Sequence, residues 1–373
     1  MKILFCVSSM HGGGAERVAA TLSSAWAERG WEVTLLATYS GRGDCVYPLH
    51  SAVKVRWLAD EPGMRAGRMV RTLRKPLLLR HVLRQEAPDV IVSFLTNVNV
   101  SVLLVSRGLG VPVIVSERTN PAVGSSAGRL LRWLRRMVYR WSDMAVVQTE
   151  DAGAALRERA PGMRRLAVIP NPLPSGLPEA AGPGGQGERR SVVALGRLAD
   201  VKRFDRLIEA FASLAGRHPQ WDLRIWGEGP MRAALQAQIE HLGLQSRVLL
   251  PGRTDTPWQA LQQADVFALT SRAEGFPNAM LEAMALGLPC VAVDCPSGPR
   301  ELSQDGEYAL LTPMDDDGAL AANLGRLMED AQLRQSLGMK AAASVRARYG
   351  LPSVLAQWDG AFDAVGGMKE RQR

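Results

Sequence analysis

The sequence predicts an α/β protein built from two Rossmann-like domains that face each other across a cleft. Its 373 residues suit two domains of ordinary size. In both halves, short apolar runs alternate with helical patterns, as they do in parallel doubly wound sheets. Residues 173–189 form the densest Pro- and Gly-rich stretch of the chain and separate the two halves. We interpret this stretch as an interdomain linker.

The first domain, predicted over residues 1–172, begins with a β-loop-α-β pattern. An apolar run at 2–8 leads into the glycine-rich segment 10–14, and a helical pattern at 16–29 is stopped by Gly30. A second apolar run follows, and further strand candidates recur along this half: 32–37, 90–94, 111–116 and 144–148. Repeated units of this kind build a parallel sheet.

The second domain, predicted over residues 190–352, repeats the pattern from the apolar run 191–196 onwards. Its other strand candidates are 222–226, 247–250, 266–269, 290–293 and 309–311. Each is followed by a loop and a helical pattern, so this half also predicts a doubly wound sheet.

The cysteines and the apolar runs indicate a cytoplasmic protein. Cys6, Cys45, Cys290 and Cys295 show no C-x-x-C spacing, so we interpret them as reduced thiols, not as a disulfide framework or a zinc site. The apolar run at residues 2–7 is too short for a signal peptide, and no window approaches about 18 consecutive apolar residues. No membrane-spanning segment is therefore expected.

The formal charge of +8 is unevenly distributed. Residues 1–171 hold 24 Lys and Arg against 13 Asp and Glu, whereas residues 172–373 hold 21 against 24. Two stretches without an acid carry much of the excess, with seven basic residues at 64–84 and five at 128–141. A basic first domain implies an anionic partner. Nucleic acid is not expected, because no binding module surrounds these stretches.

The second basic stretch places Arg129, Arg132, Arg136 and Arg140 at helical spacing, with apolar residues including Trp133 between them. A basic amphipathic helix with an aromatic member is typical of a protein that lies on an anionic membrane surface. The same arginines could instead bind a diphosphate. The simplest alternative is a solvated helix face whose apolar stripe packs on the core.

The segment 270–287 carries the most informative pattern of the chain. It follows a predicted strand, Pro277 suits the first turn of a helix, and Gly287 suits the helix end. Glu274 then lies on the loop and Glu282 inside the helix, while Gly275 lets the backbone approach a ligand and the helix N-terminus offers free N–H groups to phosphate. By spacing alone, the two glutamates could equally be solvated.

The surrounding residues resemble the signature of the family 4 glycosyltransferases, which are retaining enzymes of the GT-B fold. The match runs through Glu274-Gly275-Phe276-Pro277 and Leu281-Glu282-Ala283-Met284-Ala285 to Gly287-Leu288-Pro289-Cys290-Val291. The resemblance continues over almost the whole chain, with Gly196-Arg197-Leu198 and Lys202, the Gly227 turn, the Arg253 element and Asn171. It implies a C-terminal helix, residues 353–373, that crosses back to the first domain.

The resemblance also implies the residues that bind a nucleotide-sugar donor. Glu274 would contact the sugar, Glu282 the ribose hydroxyls, and Arg197 with Lys202 the diphosphate; the catalytic residues are then Glu274, Arg197 and Lys202. Fixed cations suit a leaving diphosphate whose charge grows in the transition state, so we expect no metal and no resident cofactor. The full set of implied donor-binding residues is Gly13, Gly14, Gly196, Arg197, Lys202, Gly227, Arg253, Glu274, Gly275, Phe276, Pro277, Asn278 and Glu282.

The glycine loop that includes Gly13 and Gly14 is neither a G-x-G-x-x-G motif nor a P-loop. ATP and NAD are therefore poorly supported. In the family, this loop faces the donor.

The sequence departs from the family pattern just after the predicted strand that ends near residue 116. Many family members have a histidine after it, but here Ser116-Glu117-Arg118 leads to Pro121. This run is similar to the S-x-R-x-x-P of a subgroup that acts on polyprenyl-diphosphate-linked bacterial surface glycans. We take Glu117 and Arg118 from this run, and Arg132 and Arg136 from the basic helical stretch, as candidate acceptor-binding residues.

Together these observations predict a retaining, metal-independent hexosyltransferase at the inner face of the plasma membrane. It would move a hexose or N-acetylhexosamine from a nucleotide sugar, with UDP favoured, to a lipid-linked glycan in polysaccharide assembly. Two alternatives remain open, a GDP-mannose-dependent mannosyltransferase and a nucleotide-sugar epimerase of the same fold.

Overall fold

A computed structural model describes residues 1–38, 45–62, 68–123, 128–184 and 189–366, with the backbone alone for 68–73. The chain divides into two compact units. Unit 1 comprises Met1–Pro174 together with Leu351–Arg373, and unit 2 comprises Ser175–Gly350. The last segment of the chain thus belongs to the first unit.

Unit 1 contains a seven-stranded parallel sheet in the order β3-β2-β1-β4-β5-β6-β7. Its strands are β1 (Lys2–Val7), β2 (Glu32–Ala37), β3 (Lys54–Trp57), β4 (Val90–Phe94), β5 (Val113–Ser116), β6 (Met144–Val147) and β7 (Leu166–Val168). The central strands are buried along nearly their whole length, because helices cover both faces of the sheet.

Two apolar cores lie between the sheet and the helices of this unit, one on each face of the sheet. The helices are α1 (Gly14–Glu28), α2 (Arg68–Glu86), α3 (Thr96–Ser106), α4 (Arg129–Val138), α5 (Glu150–Arg159) and, at the end of the chain, α13 (Leu351–Ala364). Helix α13 contributes Trp358 and Phe362 to the core around Trp26, whose ring lies 5.7 Å and 5.4 Å from theirs. Aromatic residues far apart in the chain therefore close this core.

Unit 2 contains a six-stranded parallel sheet in the order β10-β9-β8-β11-β12-β13. Its strands are β8 (Arg190–Leu195), β9 (Trp221–Trp226), β10 (Val248–Gly252), β11 (Val266–Leu269), β12 (Cys290–Val293) and β13 (Leu310–Thr312). Its helices are α6 (Phe204–Ala215), α7 (Arg232–His241), α8 (Pro257–Gln262), α9 (Asn278–Ala285), α10 (Pro299–Ser303), α11 (Asp317–Glu329) and α12 (Ala331–Tyr349).

In both sheets, the first strand of the unit lies inside the sheet, and the order in which the following strands are added reverses beside it. This is the doubly wound Rossmann pattern. The prediction of two Rossmann-like halves is confirmed. Two strands of unit 1, β3 and β7, were not predicted from the sequence; both lie at sheet edges and are at most half-buried. Residues 175–184 of the segment interpreted as a linker belong to unit 2.

Candidate functional site

The carboxyl ends of the unit 2 strands bring together the residues that the sequence singled out. Gly196 follows β8, Gly227 follows β9, Arg253 follows β10, and Glu274 lies in the loop after β11. The first three turns are joined through the backbone, since Gly196 N–H donates to Trp226 O at 3.0 Å and Gly227 N–H to Gly252 O at 2.8 Å. In parallel α/β sheets, this edge is where ligands bind.

Glycine is required at these turns by close backbone contact. A Cβ atom on Gly227, which has φ +144°, would stand 1.9 Å from the carbonyl oxygen of Gly196. One on Gly229 would stand 2.3 Å from the carbonyl oxygen of Leu198. A side chain at either position would displace the turn that carries Arg197.

Lys202 and Glu274 form an ion pair, with 2.6 Å between Nζ and Oε1. The Ser271 hydroxyl donates to the same Oε1 at 2.5 Å, whereas Oε2 has no hydrogen-bond partner among the described residues. The Lys202 and Glu274 side chains are 22% and 10% exposed. One carboxylate oxygen is thus held by two donors, and the other remains available to a ligand.

Hydrogen bonds to backbone carbonyl groups hold the segments of Lys202 and Glu274 together, although 72 positions separate these two residues. The Thr270 hydroxyl donates to Lys202 O at 2.9 Å, and Arg272 N–H donates to Val201 O at 2.8 Å. The Lys202 side chain also passes close to Gly196, where a Cβ atom would stand 3.3 Å from its Cε. Gly196 therefore leaves space for Lys202 to reach Glu274.

Arg197 and Arg253 are exposed, and neither forms an ion pair with a residue of the described ranges. Arg300 differs, because it pairs with Asp294 and with Asp305. Arg197 and Arg253 are therefore the guanidinium groups available to an anion near the strand ends, while Arg300 ties local carboxylates together.

The segment from Gly275 to Glu282 combines buried anchors with a buried carboxylate. Phe276 is 6% exposed and meets the Tyr349 ring edge-on at 5.9 Å between centroids, so its side chain packs inward. Helix α9 begins at Asn278, so the prediction that Pro277 occupies its first turn is wrong by one residue. Glu282 is 3% exposed and accepts a hydrogen bond from Trp258 Nε1 at 2.9 Å.

In unit 1, Gly13 and Gly14 lie at the start of α1, and both are exposed. Tyr47 Oη lies 3.1 Å from both Gly13 N and Gly13 O, and so it fixes this turn. A Cβ atom on Gly13 would stand 2.4 Å from Glu16 Oε2. The exposed backbone here is shaped by two neighbouring side chains.

Glu117 lies immediately after β5 and is only 2% exposed. Its Oε1 accepts from Tyr139 Oη at 2.5 Å and lies 3.7 Å from Arg135, while its Oε2 accepts from Thr96 Oγ1 at 2.7 Å. Burial raises the pKa of this carboxyl group, and Arg135, Tyr139 and Thr96 oppose the rise. Glu117 therefore organises the interior of the unit around β5.

Arg118 is a buried cation, 7% exposed, whose described partners are all neutral. It donates to Ser116 Oγ at 3.3 Å and to Asn171 Oδ1, its guanidinium lies 4.2 Å from the centre of the Phe94 ring, and its Nε has no partner among the described residues. Burial lowers its pKa to about 9. An uncompensated buried charge is costly, so it suggests that an anion completes the site.

Helix α4 carries apolar residues on two faces. Leu131 and Leu134 pack towards the core, and Arg135 points inward to Glu117. Leu130, Trp133 and Met137 form an outer row that is 69%, 58% and 39% exposed. The exposed arginines Arg129, Arg132, Arg136 and Arg140 flank this row. Much of the other basic stretch, 64–84, lies outside the described side chains.

The structure thus brings together Gly196, Lys202, Gly227 and Glu274 in unit 2, and it buries both Glu117 and Arg118 in unit 1. Sequence reasoning missed Ser271 as the partner of Glu274, Trp258 as the partner of Glu282, and Arg135 as the partner of Glu117. The spacing of three residues between Ser271 and Glu274 could have indicated the first of these contacts. Nothing in the sequence indicated the other two.

No group of three His, Cys, Asp or Glu residues among the described residues is arranged to hold a metal ion. Of the helices in the described ranges, none combines the length and the hydropathy needed to cross a bilayer.

Two protein-family models match most of the chain. One, described as "Glycosyl transferase 4-like domain", matches residues 13–172, and the other, "Glycosyl transferases group 1", matches residues 181–344. The two matches fall on the main segment of unit 1 and on unit 2.

Two bacterial proteins are similar along almost their whole length, and a third is similar over a part of its length. An undecaprenol-diphosphate-linked glycan α-1,4-N-acetyl-D-galactosaminyltransferase of Campylobacter jejuni is 27% identical over 90% of this chain and 91% of its own. The amylovoran biosynthesis glycosyltransferase AmsD of Erwinia amylovora is 28% identical over 96% and 98%. An exopolysaccharide phosphotransferase of Streptomyces coelicolor is 36% identical over 59% of this chain, which matches only 23% of that longer protein.

Solved structures share the fold. HepE of Anabaena, in complex with UDP and glucose, superposes with a TM-score of 0.81 at 21% identity over 98% of this chain and all of that one. A sucrose-phosphate synthase of Thermosynechococcus elongatus superposes with a TM-score of 0.83 at 19% identity, over 98% and 99%.

Proposed function

This chain belongs to the family 4 glycosyltransferases of the GT-B fold, and on that premise we propose that it moves a hexose or N-acetylhexosamine from a UDP-sugar to a lipid-linked glycan. The transfer retains the configuration at the anomeric carbon, needs no metal ion, and serves polysaccharide assembly. The UDP in the structurally similar HepE complex supports this choice of nucleotide.

The Lys202–Glu274 ion pair is the main support for the proposed donor-binding site. Glu274 Oε2 has no partner among the described residues, and it would accept from a sugar hydroxyl and stabilise positive charge near the anomeric carbon. Lys202 and the exposed Arg197 stabilise the diphosphate, Arg253 lies beside the nucleobase, and Glu282 binds the ribose. We assign a backbone role in donor binding to Gly227, Gly275 and Asn278 of unit 2.

The proposed reaction exchanges one bond for another at the anomeric carbon. The bond from this carbon to the donor phosphate oxygen breaks, and the bond to the acceptor oxygen forms on the same face. The proton of the acceptor hydroxyl passes to the departing phosphate. Fixed cations at Arg197 and Lys202 compensate the negative charge that grows on the diphosphate, and for this reason we propose a metal-independent transfer.

Arg118 supports an anionic acceptor, because it is a buried guanidinium without a described carboxylate partner. The phosphate of a polyprenyl-diphosphate-linked glycan would supply the missing charge. The Campylobacter jejuni relative is named for an undecaprenol-diphosphate-linked substrate, which agrees with this chemistry. Arg132 and Arg136 then serve the acceptor from the outer face of α4. Glu117 acts indirectly, by binding the side chains of Thr96, Tyr139 and Arg135.

We also propose that α4 binds an anionic membrane surface at the inner face of the plasma membrane. Leu130, Trp133 and Met137 expose apolar surface beside four arginines, and this combination favours the lipid headgroup region. The Trp133→Glu variant should lose binding to vesicles of anionic phospholipid. The matched control is Met339→Glu in unit 2, where the replaced side chain is 40% exposed. Equal vesicle binding by both variants would contradict the proposal that α4 binds the membrane.

Incubation with a panel of UDP- and GDP-sugars tests the function as a whole. We expect release of UDP that depends on a polyprenyl-diphosphate-linked acceptor. GDP release from GDP-mannose would instead identify a mannosyltransferase, and interconversion of the donor without acceptor would identify an epimerase. Unchanged donor affinity in both the Glu282→Ala and Arg197→Ala variants would disprove the proposed donor site.

A further inference from the structure

We infer that Trp258 is a positioning residue for nucleotide binding, and that it acts by fixing the carboxylate of Glu282. This inference rests on the proposed function, in which Glu282 binds the ribose of the donor. The observation behind it is the hydrogen bond of 2.9 Å from Trp258 Nε1 to Glu282 Oε2.

The carboxylate needs such a donor because it is buried. Glu282 is 3% exposed and lies on α9 between Leu281 and Ala283, which are also buried. A buried carboxylate is stable only where N–H or O–H groups replace water around it. The indole N–H provides one such bond and, being part of a rigid ring, also fixes the direction in which the carboxylate points.

Pairing is not a general requirement for tryptophan in this protein. Trp26 and Trp221 are fully buried, and their indole N–H groups have no hydrogen-bond partner among the described residues. Trp258 is only half-buried, so water could satisfy its N–H group. Its bond to Glu282 is therefore better explained by the needs of the carboxylate than by those of the indole.

The position of Trp258 in the chain fits this role. It is the second residue of α8, which begins with Pro257 and packs against α9. The loop just before α8 contains Arg253, for which we proposed a place beside the nucleobase. The same short segment would thus connect the nucleobase side of the site with the carboxylate that binds the ribose.

The test compares UDP with 2′,3′-dideoxy-UDP, which lacks both ribose hydroxyls, because an effect through Glu282 must depend on these hydroxyls. Wild-type protein should bind UDP more tightly than the dideoxy analogue. Trp258→Phe keeps an aromatic ring but removes the N–H donor, so it should weaken UDP binding about tenfold and leave 2′,3′-dideoxy-UDP binding nearly unchanged. In turnover, KM for the donor should rise while kcat changes little.

Three further variants complete the design. Trp258→His restores a ring N–H and should recover part of the preference for UDP. The double variant Trp258→Phe with Glu282→Ala should bind UDP no more weakly than Glu282→Ala alone, since the two residues act as one unit. Trp31→Phe, at a half-buried tryptophan of unit 1 for which we propose no role in binding, should behave as wild type.

Two results would overturn the inference. If Trp258→Phe weakens UDP and 2′,3′-dideoxy-UDP by the same factor, or weakens neither, Trp258 does not act through the carboxylate that binds the ribose, and the proposed donor site stands without it. If wild-type protein binds neither nucleotide, the proposed UDP-dependent function fails, and this inference fails with it.

Discussion

Each unit places a glutamate just beyond the end of a parallel strand, but the two carboxylates differ in what they leave free. Glu274, after β11, has Oε1 bound by Lys202 and Ser271, while Oε2 has no described partner. Glu117, after β5, has both oxygens engaged and a side chain only 1% exposed. The same residue type at the same kind of position is thus available to a ligand in one unit and part of the interior in the other.

The difference arises from residues distant in sequence. Arg135 and Tyr139, which enclose Glu117, come from α4 and the turn that follows it. Around Glu274, the donors are a lysine and a serine that approach from one side only. A strand-end carboxylate therefore becomes a candidate for chemistry only when its neighbours leave an oxygen unbound.

The largest effect should come from Glu274→Gln, which removes the negative charge and keeps the shape. We expect transfer to fall about 1000-fold, because the charge on the sugar side of the transition state is no longer stabilised. UDP binding, measured by calorimetry, should change less than about threefold. Glu240→Gln on the exposed face of α7 is the control. If the Glu274→Gln enzyme kept the wild-type kcat, the carboxylate of Glu274 would not take part in the reaction, and its difference from Glu117 would have no functional meaning.

The next largest effect should come from Arg118→Met in unit 1. If the buried guanidinium binds an anionic acceptor, the transfer rate should fall about 100-fold. The midpoint of thermal unfolding should stay the same or rise, because an uncompensated buried charge has been removed. Arg157→Met on the exposed face of α5 should leave both activity and melting unchanged. A large fall in the melting temperature of Arg118→Met would instead show that Arg118 is part of the structural interior, like Glu117.

Ser271→Ala should have an intermediate effect, since it removes one of the two donors to Glu274 Oε1. We expect kcat to fall about tenfold with little change in KM, as for the loss of one hydrogen bond to a charged group. Ser271→Thr keeps the hydroxyl and should recover most of the activity. Failure of this rescue, with normal folding, would mean that the hydroxyl does not position Glu274.

The smallest effect should appear in the pH dependence of stability through Glu117. Burial raises the pKa of this carboxyl in the folded protein above its ordinary value of 4.5. Such a group stabilises the fold fully at low pH and loses this contribution as pH rises through the folded pKa. The free energy of unfolding of wild type, relative to Glu117→Gln, should therefore decrease above about pH 4.5, by at most about 1.4 kcal/mol per pH unit.

Denaturant titrations at several pH values measure this difference. A relative stability of wild type that increases with pH would show that Arg135 and Tyr139 stabilise the charged form more than burial destabilises it.

Much of the fold could be predicted from the sequence because buried parallel strands form uninterrupted apolar runs. The strands 90–94, 266–269 and 290–293 were predicted with their observed ends. The edge strand β3 was missed, since two of its four residues are Lys54 and Arg56 and its apolar signal is weak. The strand β7 has three residues, which is too short for a recognisable pattern.

The candidate site was only partly predictable, because its partners depend on tertiary contacts. Glu274 and Lys202 were identified, but their mutual ion pair joins two βα turns. The burial of Glu117 and Arg118 could not be foreseen, since it results from how α4 and the neighbouring strand ends pack around them. Similarly, Trp258 reaches Glu282 across 24 residues and from a different helix.

The return of α13 to unit 1 has a consequence for biosynthesis. During translation, the main segment of unit 1 is complete at Pro174, but Trp358 and Phe362, which close its core, are added only after all of unit 2. At about 5–20 residues per second, the ribosome takes about 10–35 s to cover the intervening residues. Until then, Trp26 and its apolar neighbours lack these two aromatic contacts in the nascent chain. Chaperones that recognise exposed apolar surface should therefore bind unit 1 during this interval, whereas unit 2 can fold as soon as its own residues emerge.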